Sequence, residues 1–286
     1  MQDTLFRHPD LHMHSRFSDG TDTPAEILAA ARAAGLDIFS LTDHDTCDGC
    51  SLIRRDLKPG DPAFLNGIEF SCCDEHGRYH ILGYGFREGA SPVQHIAGIT
   101  HKARLEKAEN RFRYLAALGY TFRQEDIDDV MGRPNPGRPQ FAGLLVNYGY
   151  MPDLNHAYAL LADYPETEYK PRPEEAIARI RDSGGVAVLA HGFFEDGNSL
   201  LTDAQMAKRV ARLAGDGLEG LEVFYSRYTP AQQAFMLALS RKHHLLATAG
   251  SDYHGGNKAV RPGQTGSPES SVMAPFYETI RDRLVL

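Results

Sequence analysis

Three times along this chain a helical stretch gives way to a short apolar run that stops on histidines or carboxylates, an alternation that limits the available folds more than any other feature. Thr23-Pro24-Ala25-Glu26 is a capping box with proline in the first turn. Ile27, Leu28, Ala31 and Ala34 follow at helical spacing, and Gly35 stops the helix. Residues 38–42 then read as a buried strand ending on Asp43-His44-Asp45. The order recurs with a helix over 173–183, a Gly184-Gly185 stop and a strand over 186–190 that ends on His191. Beyond it lie a helix over 204–214 and a strand over 218–224. A last helix over 230–242 and a strand over 245–249 run into Gly250-Ser251-Asp252-Tyr253-His254. Helices alternating with buried strands predict an α/β barrel, whose functional groups gather at the C-terminal ends of the strands. With 286 residues, 42% of them hydrophobic, the chain has material for one large core without staples.

Residues 91–169 break the alternation. Leu105, Ala108, Phe112 and Leu115 fall on one helical face, with Lys102, Arg104, Lys107 and Arg111 elsewhere, and the run 132–139, rich in glycine and proline, is expected not to be helical. The division predicted is a barrel from 1–90 and 170–286 and an inserted helical subdomain over 91–169 that selects substrate.

The four cysteines, Cys47, Cys50, Cys72 and Cys73, make no disulfide framework, and the lone CxxC has no second thiol pair to complete a zinc site. A reducing cytoplasm suits them. No basic leader precedes an apolar run at the N-terminus, and no stretch approaches the ~18 apolar residues of a membrane span, so a soluble, cytoplasmic protein is expected. A formal charge of -8 argues against coating duplex DNA, which needs an extended basic surface. It leaves a small anionic substrate open, because the local field of bound cations governs its entry.

His12 and His14 flank Met13, so in an extended segment both imidazoles point to one side, as two ligands of one metal must. His44, Glu69, His80, His191 and the pair Asp252 and His254 sit at the ends of further predicted strands. Ionisable groups there are costly unless paired or metal-bound. Imidazoles and carboxylates without thiolates suit manganese, iron or zinc, and Glu69, with two oxygens, is the natural bridge between two ions.

The blocks His12-Met13-His14-Ser15 with Asp19, Leu41-Thr42-Asp43-His44-Asp45-Thr46, Gly67-Ile68-Glu69, His80 before Leu82-Gly83-Tyr84, His191, and Ser251-Asp252-Tyr253-His254 resemble the motifs of the PHP (polymerase and histidinol phosphatase) family. The resemblance spans nearly the whole chain. It implies a distorted (β/α)7 barrel and two to three divalent ions, manganese first, with iron or zinc as alternatives. His12, His14, Glu69 and Asp252 would hold one ion, Glu69, His80 and His191 a second, and Asp19, His44 and His254 a third.

Ser18-Asp19-Gly20-Thr21 and the insertion with Arg138-Pro139 resemble the branch of nucleoside 3′,5′-bisphosphate phosphatases and the exoribonuclease RNase AM. The function expected is hydrolysis of the 3′-phosphate of a nucleoside 3′,5′-bisphosphate by metal-bound hydroxide. Arg104 and Arg138 would grip the other phosphate, since a guanidinium fork suits it, with Asn135 adding a hydrogen bond. Asp45 is either the general acid or an orienter of its neighbour His44. The partners expected are a small nucleotide or short RNA, with no membrane and no obligate protein partner. Trimming of short 5′-phosphorylated RNA is the nearest rival; a noncatalytic scaffold is the rival from another class.

Overall fold

The computed structural model describes residues 6–89, 91–133, 136–165, 169–195, 199–266 and 268–285. Strand β1 (Pro9–Asp10) leads into helix α1 (Pro24–Ala33), β2 (Ile38–Leu41), α2 (Asp48–Asp56), the long β3 (Ala63–Asp74) and β4 (Gly77–Tyr84). Four helices follow: α3 (Pro92–Ala117), α4 (Gln124–Met131), α5 (Arg138–Asn147) and α6 (Leu154–Ala162). The alternation then resumes with α7 (Pro173–Asp182), β5 (Val186–Leu189) and a small hairpin, β6 (Phe194–Glu195) with β7 (Ser199–Leu200). It ends with α8 (Asp203–Gly215), β8 (Gly220–Tyr225), α9 (Pro230–His243), β9 (Leu246–Gly250) and α10 (Ser270–Ile280).

Seven strands form one sheet in the order β1-β2-β3-β4-β5-β8-β9. It curls until its edges meet: the Leu11 amide donates to the Ala249 carbonyl at 2.9 Å, and Met13 and Tyr253 form a parallel bridge. The result is a nearly closed barrel around a core that includes Leu11, Met13, Phe39, Phe64, Ile81 and Val223. Local chemistry explains the helix starts. Thr23 and Glu26 cap α1 reciprocally, and Ser91, Thr202 and Thr229 make the same box at α3, α8 and α9.

Three details depart from the sequence reading. Glu69 and His80 lie inside long strands, not at strand edges, and β4 runs antiparallel to both its neighbours. Only Glu75 and His76 separate β3 from β4, too few residues for a crossover helix, so the chain must reverse. The run 132–139 is not wholly irregular either: α5 begins at Arg138, because proline is tolerated in a helix's first turn. Arg111 belongs to the inside of α3, where it is 1% exposed and lies against the rings of Phe141 and Tyr164.

Helices α3 to α6 carry their own apolar cluster, with Ala108, Phe112, Leu115, Val130, Phe141, Ala142, Leu145, Ala157 and Leu161 buried against one another. Among the described residues no helix is long and apolar enough to cross a membrane.

Candidate metal centre

All nine residues expected to bear metal come together at one end of the barrel, in four overlapping groups of facing nitrogens and oxygens. Glu69 is the hub. Its Oε2 lies 3.2 Å from His12 Nε2, 3.0 Å from His14 Nε2 and 3.3 Å from His44 Nδ1. Its Oε1 lies 2.9 Å from His80 Nδ1 and 3.1 Å from His191 Nε2. The antiparallel turn of β4 makes this possible, since it sets His80 opposite Ser71 in register, beside the half of β3 that carries Glu69. Asp252 Oδ1 completes one side, 3.7 Å from His12 and 3.5 Å from His14. Asp19 completes the other, 3.1 Å from His254 Nε2 and 3.8 Å from His44 Nε2.

The donors fit cations better than they fit one another. His12 Nε2 and His14 Nε2 stand 3.1 Å apart, nose to nose, and the fully buried Glu69 Oε2 makes no hydrogen bond of acceptable geometry despite three nearby imidazoles. Converging lone pairs of this kind are satisfied by a shared divalent ion. Burial drives His44 down to about 4 and holds His14 well below its ordinary value; burial acts the same way on His12, but Glu69 and Glu222 outweigh it and hold that imidazole well above its ordinary value. Burial acts to raise Glu69, but His12, His44 and His80 outweigh it and hold the carboxylate well below its ordinary range.

Backbone strain gathers here. Asp45, His191 and Asp252 have φ of 54°, 24° and 60°, and His244, which closes α9, is the one other positive-φ residue besides glycine among those described.

Sequence reasoning missed the groups behind the ligands. Asp10, buried, accepts from the amides of His12, Ser251 and Gly263. Asp43 accepts from the Ser15 amide and from both serine hydroxyls, Ser15 and Ser18. Asp252 Oδ2 takes the Tyr225 hydroxyl at 2.9 Å and Lys258 Nζ at 2.6 Å. Glu222, fully buried in β8, meets His12 Nδ1 at 2.9 Å. A charge between Leu221 and Val223, inside the buried strand expected over 218–224, was the available signal for it.

Beside the centre opens a cleft of about 200 Å³. Asp19, His44 and His80 line it on the barrel side; Arg104, Lys107, Arg111, Arg138 and Lys170 bring five cationic side chains to it. Arg104 Nη2 donates to Asp45 Oδ2 and, at 3.2 Å, to Ser71 Oγ, while Asp45 Oδ1 accepts from the Ser71 amide at 3.0 Å. Two residues expected to act separately are thus paired. Asn135 lies outside the described residues.

A barrel with histidines and carboxylates converging at one end defines a class of metal-dependent hydrolase. Comparison with known proteins narrows it. Residues 10–129 match the PHP domain. A phosphoribosyl 1,2-cyclic phosphate 1,2-diphosphodiesterase of Eggerthella lenta is 30% identical over 86% of this chain and 94% of its own. A 3′,5′-nucleoside bisphosphate phosphatase of Chromobacterium violaceum is 29% identical over 96% and 97%, and a 5′-3′ exoribonuclease of Escherichia coli 28% over 86% and 84%. The fold matches a Chromobacterium violaceum structure described as an amidohydrolase with bound sulfate and no metal, with a TM-score of 0.79 and 25% identity over 97% of each chain. The chain belongs to the PHP family. Within it, the chain is a phosphoesterase, a phosphoric ester hydrolase.

Proposed function

We propose that the chain removes the 3′-phosphate of nucleoside 3′,5′-bisphosphates, giving a 5′-mononucleotide and phosphate. The observation that carries this reading is the cleft itself: the candidate ligands Asp19, His44 and His80 share its lining with cationic side chains from α3, α5 and Lys170. That arrangement suits a substrate with two phosphates some distance apart. The Chromobacterium relative named for this activity supports it.

His12, His14, Glu69 and Asp252 would hold one ion, Glu69, His80 and His191 a second, and Asp19, His44 and His254 a third, with manganese, iron and zinc all suited to this mixed set of imidazoles and carboxylates. Bound divalent ions supply activation of water near neutral pH and neutralisation of charge on the phosphoryl oxygens. Arg138 and Arg104 hold the phosphate that does not react. Of the two roles open to Asp45, the geometry favours positioning: both its oxygens accept hydrogen bonds, and it can pass a proton only after Arg104 releases it.

The second reading, release of nucleotides from the 5′ end of short RNA, uses the same cleft and is supported by the exoribonuclease relatives. Phosphate release from adenosine 3′,5′-bisphosphate, measured against nucleotide release from a 5′-phosphorylated dinucleotide, separates the two. Inactivity on both with manganese present refutes both. Arg138→Ala should lower kcat/KM on the bisphosphate about tenfold or more, the worth of one charge-assisted hydrogen bond, and leave a nucleoside 3′-monophosphate nearly unaffected. Equal loss on the two substrates removes Arg138 from the scheme.

A further inference from the structure

Glu222 has no place in the nine-residue set, yet the backbone is shaped around it. The pairing of β8 with β9 is irregular between Glu222 and Phe224. Across that pair, Gly250 has no room for a side chain, because a β-carbon there would overlap both Glu222 Oε1 and His12 Cβ. His191, whose amide donates to Glu222 Oε2 at 2.7 Å, is held at a φ of 24° that L-residues rarely adopt. An irregular strand, an obligatory glycine and a strained histidine all meet at one fully buried carboxylate.

The two oxygens of Glu222 serve two different candidate ligands. Oε1 accepts from His12 Nδ1, which fixes that ring's proton and turns Nε2 toward His14 and Asp252. Oε2 holds the amide of His191, whose Nε2 faces Glu69 and, at 3.3 Å, His80 Nδ1. Glu69 joins the same two groups from the cavity side. Resting on the reading of the cluster as a metal centre, we infer that Glu222 is a positioning residue that couples two ion sites from within the barrel wall, so that disturbing it weakens both together.

Glu222→Gln keeps the shape but offers one acceptor where two are needed. In calorimetric titration of chelator-stripped, full-length protein with manganese, the two events assigned to these groups should each weaken about tenfold or more, the usual effect of removing a hydrogen-bond partner behind a metal ligand. A readout that needs no variant is the ¹⁵N spectrum of the zinc-loaded wild type, in which His12 must carry its proton on Nδ1. Loss at one site alone, unchanged binding in Glu222→Gln, or the opposite His12 tautomer overturns the coupling while leaving the metal centre standing. A wild type that binds no ions overturns both.

Discussion

Phe141→Ala should loosen the helical segment and leave the barrel intact. Phe141 is fully buried in the cluster of α3 to α6, its ring 4.7 Å from that of Phe112 and 5.0 Å from the Arg111 guanidinium carbon. Removing a buried phenylalanine ring costs about 3–5 kcal/mol through lost transfer energy and the cavity left behind. The upper half of that range is expected here, because two rigid neighbours lose their partner and neither can collapse into the gap without breaking its own contacts. The cluster contains no residue of the barrel core, so the cost should fall on local opening of these helices. At 1.36 kcal/mol per factor of ten, 4 kcal/mol is about a thousandfold loss of amide protection. Hydrogen exchange read by mass spectrometry should show that loss in peptides from α4, α5 and α6, with β5 and β9 unchanged and manganese stoichiometry retained. Equal loss of protection in the barrel strands would refute the separation of the two cores, and unchanged exchange in α5 would refute the magnitude.

Thr23→Ala removes half of the capping box at α1 and should cost about 1 kcal/mol, lowering Tm by about 2–4 °C; a calorimetric scan checks it. Burial pushes the Cys47 thiol up to about 12 and those of Cys50 and Cys72 well above their ordinary value, so all three stay protonated at pH 8. A disulfide reagent should therefore leave them untouched until denaturant is added, and rapid labelling of Cys47 or Cys50 in the native protein would revive a redox role for the CxxC. Manganese at about a hundred times its dissociation constant should stabilise the chelator-stripped protein by about 2.7 kcal/mol per independent site, read as a rise in denaturation midpoint. His14→Ala should shrink that gain, since His14 Nε2 stands 3.0 Å from Glu69 Oε2 and 3.1 Å from His12 Nε2 within the cluster.

What could be read from the sequence was what short-range chemistry specifies. The capping residues Thr23, Ser91, Thr202 and Thr229 satisfy amides three positions away, so α1, α3, α8 and α9 begin on signals visible in the chain. His12 and His14 share a side because an extended backbone alternates. What stayed hidden depends on distant partners. Glu69 resembles the end of a short apolar run until β4 pairs beyond it and extends β3 to Asp74. Arg111 resembles a member of a charged face because helical spacing carries no information about Phe141 and Tyr164. Glu222 lies among apolar neighbours, and the reason for its charge, His12, is 210 positions away.

The seam between the first and last strands has a consequence for how the protein matures. Asp10 reaches the Ser251 amide across 241 positions, and the His12 carbonyl takes the Asp252 amide at 2.8 Å. The bonds that close the barrel are made by the donors of the cluster and their immediate neighbours. Closing so long a loop carries a large entropic cost before any contact repays it, which places this step late in folding. A nascent chain still lacking β9 can hold β1 through β2 but has neither Asp252 nor His254 to offer. Latency during synthesis is thus built into the topology: the end of the barrel that carries the cluster is assembled only when the first and last strands meet.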